Sequence, residues 1–162
     1  MRVSLRQLTR NLFLFTIVAI LFSSCAASRR AKQAKINTVI KTARTYTGVP
    51  YKWGGTSRSG MDCSGLVCTS YNSVNVSLPR TVVAQKKTGK GVSQNKLKKG
   101  DIVIFKIKRK GKDSWHSGIV TDVIGKDKVM FIHASVSRGV MESNLKDNYW
   151  IKSYKKARRI IK

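Results

Sequence analysis

The stretch PYKWGGTSRSGMDCSGLVCTSY, residues 50–71, joins a glycine-rich loop to a short apolar run that begins at a cysteine. Leu66, Val67 and Tyr71 follow Cys63 in a mostly apolar pattern that predicts a buried helix. Cys63 then lies at the helix N-terminus, where unpaired backbone N–H groups and the positive end of the helix dipole favour an anion. The sequence therefore predicts a reactive cysteine, with a thiol pKa lowered from about 8.5 toward roughly 3.5–7.5.

Cysteine is also among the most buried residue types, so simple packing is the alternative role for Cys63. The residues around it favour the reactive role, because Asp62, Ser64 and Gly65 at a loop-to-helix junction suit a polar, partly open site. Asp62 is predicted to cap the helix, since its side-chain oxygen can accept from first-turn N–H groups. The glycines of the preceding loop allow a substrate or another backbone segment to approach closely.

The N-terminal residues have the pattern of an export signal. Three arginines precede an apolar run at residues 12–22 that is too short to span a bilayer, and small residues then surround Cys25. This arrangement resembles a bacterial lipoprotein signal, in which the cysteine becomes the acylated first residue. A plain membrane anchor is the alternative. We expect a lipid-anchored protein of the bacterial cell envelope, with its folded part in the periplasm.

The expected domain organisation follows from that signal. Residues 1–24 are the predicted signal peptide, residues 25–34 a short basic tether that begins at the lipidated Cys25, and residues 35–162 one catalytic domain. The domain is expected to be a monomer, and about 125 residues suffice for a respectable core.

The net charge of +26 raises the possibility of a nucleic-acid partner. Without the three arginines of the signal the charge is still +23, because all seven acidic residues lie downstream. The lysines spread through residues 86–112 and 146–162 without a recognisable nucleic-acid module, and export separates the protein from cytosolic DNA and RNA. We therefore expect no nucleic-acid partner, but a general attraction to polyanions such as the carboxylate-bearing peptides of the cell wall.

Helical patterns come first in the domain and strand patterns afterwards. The spacing of Ile36, Val39, Ile40 and Ala43 predicts a helix from Lys32 to Thr47. A short helix at residues 82–87 follows the Cys63 helix. Strands are predicted at residues 101–107, 115–123, 128–134, 138–141 and 157–161, with a helical turn at residues 148–154. Short loops favour antiparallel pairing, so the predicted fold class is α+β, with the Cys63 helix on an antiparallel sheet.

The two histidines of the chain, His116 and His133, both fall in predicted neighbouring strands. A thiol nucleophile needs an imidazole as base, and the imidazole needs a polar group that fixes its orientation. His116 would be the base and His133 the orienting group, whereas core or surface positions without a catalytic role are the alternative. Zinc binding by both histidines with Cys63 and Cys68 is disfavoured by the ligand spacing. Cys68 is instead expected in the core, on another face of the helix.

Four motifs in this order resemble the signature of the NlpC/P60 cell-wall cysteine peptidases: Tyr51-x-Trp53-Gly54-Gly55, Asp62-Cys63-Ser64-Gly65, His116-Ser117-Gly118-Ile119 and Phe131-Ile132-His133-Ala134-Ser135. The resemblance covers about residue 35 to the end. It is closest to the lipoprotein branch of murein endopeptidases, because Leu78-Pro79-Arg80 and Tyr149-Trp150 also match that branch. One departure is Ser117, which stands where the family more often has a small apolar residue.

The resemblance implies a trimmed papain-like fold and hydrolysis of peptide bonds in peptidoglycan, without a cofactor or a metal ion. It implies that Cys63 is the nucleophile, His116 the base and His133 the third, orienting residue. It also implies a substrate groove lined by Tyr51, Asp62 and Ser64. The alternatives are an amidase or acyltransferase that uses the same thiol, and a non-catalytic, basic wall-binding lipoprotein.

Overall fold

The computed structural model describes residues 26–109, 111–125 and 127–162. The predicted signal peptide and the predicted lipidation site Cys25 therefore lie outside the described residues. Lys35–Lys162 form one compact unit, which holds the elements that form the site. Among the described residues, no helix combines the length and the apolar character that a membrane crossing requires.

Apart from two strands of two residues each, the elements follow the predicted order of helices first and strands afterwards, with a helical turn near the end. In chain order they are α1 (residues 26–44), β1 (Thr56–Ser57), β2 (Gly60–Met61), α2 (Cys63–Asn72), α3 (Val82–Gln85), β3 (Lys90–Val92), a 3₁₀ turn (Gln94–Lys96), β4 (Ile102–Arg109), β5 (Lys112–Ile124), β6 (Lys128–Ser135), β7 (Gly139–Asn144), α4 (Asn148–Ser153) and β8 (Tyr154–Arg159). The described part of the predicted tether, residues 26–34, is already helical. The predicted α+β fold class is confirmed.

The main sheet has the strand order β3-β8-β4-β5-β6-β7, and each neighbouring pair is antiparallel. The first four residues of the central strand β4, Ile102–Phe105, are buried on both faces, as their unbroken apolar run predicts. Ile102 and Ile104 belong to the core on the side of α1 and α2, while Val103 and Phe105 belong to a second core on the opposite face. One face of the sheet therefore packs against α1 and α2, and the other face packs against α4.

Helix α2 packs on the sheet through Leu66, Val67 and Tyr71, none of which is exposed. The Tyr71 hydroxyl donates a hydrogen bond to the carbonyl of Gly100, which ties the helix to the start of β4. Contacts between α2 and both β5 and β6 place the first residue of the helix, Cys63, next to the two strands that carry the histidines. The packing of α2 thus sets the position of the thiol.

Several strand boundaries differ from the prediction because backbone pairing, which the side-chain pattern does not record, extends the strands. β7 continues to Asn144, which pairs with Met130, and β8 begins at Tyr154, which pairs with Phe105. The edge strand β3 is absent from the predicted strands, and its Gly91 pairs with Arg158 of β8.

Candidate active site

Asp62 fixes the N-terminus of α2, as predicted. Its Oδ1 accepts a hydrogen bond from the backbone N–H of Gly65 at 2.7 Å, and its Oδ2 accepts one from Gly54 at 2.8 Å. The same carboxylate therefore joins the glycine loop to the first turn of the helix, and Cys63 is the residue between them. An N-cap contact of this kind typically stabilises a helix by about 1 kcal/mol.

Arg80 holds that carboxylate from the opposite side. Its two terminal nitrogens donate to Oδ1 and Oδ2 of Asp62 at 2.9 and 2.7 Å, and one of them also donates to the hydroxyl of Ser64 at 2.9 Å. Burial raises the pKa of the Asp62 carboxyl, but the hydrogen bonds from Arg80, Gly65 and Ser64 outweigh burial and leave that pKa below its ordinary value. Asp62 is thus an anion engaged by a bidentate partner, a strong and directional arrangement.

The thiol of Cys63 lies in a less favourable environment for a thiolate than the sequence predicts. The residue is 7% exposed, and burial raises the thiol pKa. Hydrogen bonds from the backbone and the hydroxyl of Ser117 and from the backbone of Ser64 act in the other direction, while the negative charge of Asp62 raises the pKa further. The expected lowering of the thiol pKa by the helix N-terminus is therefore wrong for this structure, because desolvation is larger than the hydrogen bonds.

The two histidines are in direct contact. The Nε2 atom of His116 lies 3.1 Å from the Nδ1 atom of His133, and the Nε2 atom of His133 lies 3.0 Å from the hydroxyl of Ser143. Their exposed fractions are 5% and 2%. The predicted pairing of these two side chains is what the structure shows, and Ser143 of β7 extends the chain of hydrogen bonds by one member.

His133 is held in its neutral form. Burial, together with the positive charges of His116 and Arg138, lowers its pKa from 6.5 to about 3. A neutral imidazole has one N–H, so in the tautomer in which Nε2 donates to Ser143, Nδ1 accepts from Nε2 of His116. Nε2 of His116 is thus engaged by His133, and His116 also lines the groove that contains Cys63. Trp150 covers the pair: its ring stacks on His116 with a centroid distance of 5.7 Å and meets the ring of His133 edge-on at 4.8 Å.

Cys63 and His116 line the same groove, which has a volume of about 520 Å³. The three residues predicted to contact substrate, Tyr51, Asp62 and Ser64, also line this groove. The oxygens of Asp62 already have the partners given above, so their contribution to the groove is its shape and charge. His133 lies behind His116, where it lines a second groove.

Cys68 is half-buried rather than in the core. Its Sγ lies 3.4 Å from the carbonyl of Leu78 and 3.2 Å from that of Pro79, on a different face of α2 from Cys63. The described residues contain no cluster of three or more His, Cys, Asp or Glu side chains arranged to hold a metal ion.

Three residues of the site were absent from the predicted set. Arg80 is described above. Gln85 is fully buried and donates to the carbonyl of Ser64 at 3.1 Å. Its Oε1 lies 3.3 Å from the hydroxyl of Ser117, whose single proton can be donated either to this oxygen or to the sulfur of Cys63. Ser143 is the third. Gln85 lies three residues after the buried Val82, so a polar side chain on the apolar face of α3 was a usable signal. Arg80 belongs to the Leu78-Pro79-Arg80 match, which assigned it no role, and Ser143 reaches the site through tertiary pairing and leaves no local pattern.

The NlpC/P60 family model matches residues 48–159, which is more than half of the chain. The murein DD-endopeptidase and LD-carboxypeptidase MepS of Escherichia coli K12 is 39% identical over 117 residues, which are 72% of this chain and 58% of that protein. The chain thus spans less than two thirds of the length of MepS. The probable endopeptidase NlpC of Escherichia coli K12 is 35% identical over 156 residues, with 91% of this chain and 97% of that protein covered.

A solved structure agrees with these sequence matches. The crystal structure of an NlpC/P60 family protein from Bacillus cereus superposes with a TM-score of 0.67 and 32% identity, over 78% of this chain and 40% of that one. The fold, the four motifs and the family match point to the same assignment. The chain belongs to the NlpC/P60 family.

Proposed function

We propose that this protein is a cysteine peptidase that hydrolyses peptide bonds in bacterial peptidoglycan. The observation that carries the proposal is the arrangement of three side chains. The Cys63 thiol and the His116 imidazole line one groove, and His133 contacts His116 from behind at 3.1 Å. A nucleophile, a base and a group that orients the base are the parts that thiol-dependent acyl transfer requires.

In the proposed mechanism, Nδ1 of His116 takes the thiol proton as the Cys63 sulfur attacks the carbonyl carbon of the substrate. A C–S bond forms, and the backbone N–H of Cys63 at the start of α2 donates to the oxyanion. The C–N bond then breaks, and His116 gives its proton to the leaving amine. Water, deprotonated by His116, attacks the thioester; the C–S bond breaks, the acid product leaves and the thiol is restored.

His133 supports this cycle because it stays neutral while His116 changes charge. With its pKa near 3, Nδ1 of His133 accepts from His116 in both protonation states of the base. It therefore stabilises the imidazolium and holds Nδ1 of His116 toward the groove. The hydrogen bonds from Ser117 and Ser64 stabilise the sulfur as it becomes an anion.

The relatives support peptidoglycan as the substrate. MepS is named for its action on murein, and NlpC is named a probable endopeptidase. The positive charge of the chain suits a polymer whose peptides carry carboxylates. We further propose that residues 1–24 are a signal peptide, that Cys25 carries a lipid anchor, and that residues 35–162 act in the cell envelope.

The test is digestion of purified muropeptides, followed by mass spectrometry of the products. Wild-type protein and a Cys68→Ala control should release a free acid and a free amine, while Cys63→Ala should release neither. Cleavage by Cys63→Ala would refute the mechanism. Transfer of the acyl group to an added amine, without hydrolysis, would favour the acyltransferase, and an inactive wild-type protein that binds sacculi would favour the non-catalytic binder.

A further inference from the structure

The buried side-chain amide of Gln85 joins three parts of the protein around the site. Its Nε2 atom lies 3.1 Å from the carbonyl oxygen of Ser64 in α2 and 3.0 Å from that of Pro79 in the loop before α3. Both carbonyl oxygens can only accept, so the two hydrogens of the amide serve them and the orientation of the amide is fixed. Oε1 is therefore the atom that faces the hydroxyl of Ser117 in β5, at 3.3 Å.

The hydroxyl of Ser117 has two possible partners for its one proton. An amide oxygen can only accept, so the contact with Gln85 requires the hydroxyl to donate. The same hydroxyl also reaches the sulfur of Cys63. Ser117 and Gln85 are both 0% exposed, so bulk solvent does not serve whichever partner is left over. The amide oxygen and the sulfur thus compete for a single proton.

The two protonation states of Cys63 divide this proton differently. A neutral thiol is a weak acceptor, so the favourable order is S–H to the Ser117 oxygen and O–H to Oε1 of Gln85. A thiolate is a strong acceptor, because a hydrogen bond to a charged group is roughly twice as strong as one between neutral groups. The hydroxyl then turns to the sulfur, and Oε1 loses its donor inside the protein. Formation of the thiolate therefore costs one buried hydrogen bond.

We propose that Gln85 is a positioning residue that acts through Ser117: its Oε1 atom holds the hydroxyl proton while Cys63 is a neutral thiol and releases it to the sulfur as the thiolate forms. This inference rests on the proposed function, in which the thiol proton passes to His116. The Ser117 hydroxyl only rotates, and no bond to it is made or broken. Ser117 stands where the family more often has a small apolar residue, so this device is a feature of the chain and not of the family signature.

The charged and titratable groups around the sulfur come from three other places in the fold. Asp62 precedes α2 and raises the pKa of Cys63. Arg80 comes from the loop before α3, and the sulfur acts on its charge in turn. His116 comes from β5 and lines the same groove as the thiol. A substitution of Gln85 leaves all three in the chain, so the comparison isolates the competition for the hydroxyl proton.

A purely structural role for Gln85 would change the thiol in the opposite direction. The contact with the Pro79 carbonyl secures the residue before Arg80, and Arg80 holds the carboxylate of Asp62. Loss of that support would leave the carboxylate charge less compensated beside Cys63, and the thiol pKa would rise. Loss of the competing acceptor lowers it. The sign of the change therefore separates the two roles.

The first test is the pH midpoint of Cys63 alkylation by iodoacetamide in the Cys68→Ala background, with the labelled peptide identified by mass spectrometry. Gln85→Met keeps a similar shape without the acceptor, so the midpoint should fall by roughly 0.5–1 pH unit, the value of one neutral hydrogen bond. With Ser117→Ala also present, Gln85→Met should leave the midpoint unchanged. Gln94→Met removes an amide from outside the groove and should have no effect. A higher midpoint in Gln85→Met, or an equal fall without the Ser117 hydroxyl, overturns the inference.

The infrared S–H stretching band of Cys63 is a second readout, which requires neither turnover nor a Gln85 variant that folds. The difference spectrum between wild type and Cys63→Ala, recorded below the alkylation midpoint, isolates this band. Because donation to the Ser117 oxygen weakens the S–H bond, the band should lie at lower frequency in wild type than in Ser117→Ala. Equal frequencies overturn the inference. The expected band shift and midpoints in a protein that leaves muropeptides uncut would support the role of Gln85 and refute the proposed function alone.

Discussion

Replacement of His133 by asparagine should make the protein much less sensitive to acid. The pKa of His133 is about 3 in the folded protein, compared with 6.5 for an ordinary histidine. The unfolded chain therefore binds a proton at this position as the pH falls below about 6.5, while the folded protein does not. The stability that depends on neutral His133 is fully present above pH 6.5 and is lost as the pH falls toward 3.

The magnitude follows from the size of the shift. A shift of about 3.5 units corresponds to roughly 5 kcal/mol in the free energy of unfolding, and about 3 kcal/mol of this should be lost between pH 7 and pH 4. The residue is only 2% exposed, so solvent screening does little to reduce this value. Against a typical total stability of about 5–15 kcal/mol, such a loss is easily measured.

The assay is urea unfolding at a series of pH values, followed by tryptophan fluorescence, since Trp150 lies against both histidines. Asparagine does not titrate, and its side-chain oxygen can take the acceptor role of Nδ1. The difference in unfolding free energy between wild type and His133→Asn should shift by about 3 kcal/mol from pH 7 to pH 4. The same comparison in a His116→Gln background measures how much of the pH dependence comes from burial of His133, without the charge of the neighbouring imidazole.

Parallel stability curves for wild type and His133→Asn over that pH range would refute the reasoning. They would mean that His133 takes up a proton in the folded protein near its ordinary pKa. Nδ1 of His133 could then not accept from His116, and the proposed orientation of the base would fail with it.

Two other predictions concern the thiol, and both are measured as the pH midpoint of Cys63 alkylation by iodoacetamide, with Cys68→Ala as the background. Ser117→Ala removes a hydroxyl that can donate to the sulfur. The midpoint should therefore rise by about one pH unit, the value of one hydrogen bond to a charged group. An unchanged midpoint would show that the hydroxyl does not reach the thiolate. Arg80→Gln leaves the Asp62 carboxylate without its bidentate partner, so the midpoint should also rise and kcat should fall, whereas a lower midpoint would contradict this role of Arg80.

The parts of the fold that were predictable are those that one segment determines by itself. The apolar run after Cys63 specifies a buried helix, and the aspartate before it specifies the cap, because both effects act within four residues. The unbroken apolar run of β4 likewise predicts burial on two faces. The edge strand β3 was not predictable, since its three residues, Lys90–Val92, form a strand through backbone bonds to β8 and not through a side-chain pattern.

The candidate site likewise contains some residues that the sequence identifies and others that only the tertiary structure shows. Cys63, His116 and His133 were predictable because their chemistry is rare in this chain and matches a motif. Their partners come from separate elements: Arg80 from a loop, Gln85 from α3 and Ser143 from β7. Arginine, glutamine and serine are common residues, so only the tertiary structure shows which of them touch the site.

The thiol pKa explains why the helix N-terminus alone was a poor guide to reactivity. The same close packing that aligns α2 with the histidine strands also removes water from the sulfur, and desolvation then exceeds the benefit of the backbone N–H groups. Burial acts on His133 in the corresponding way and keeps it neutral. Both shifts favour uncharged partners on either side of His116, so in the proposed mechanism charge separates as the sulfur attacks the substrate. The hydrogen bonds from Ser117 and Ser64 would then contribute most when negative charge develops on the sulfur, and there they would lower the barrier to the reaction.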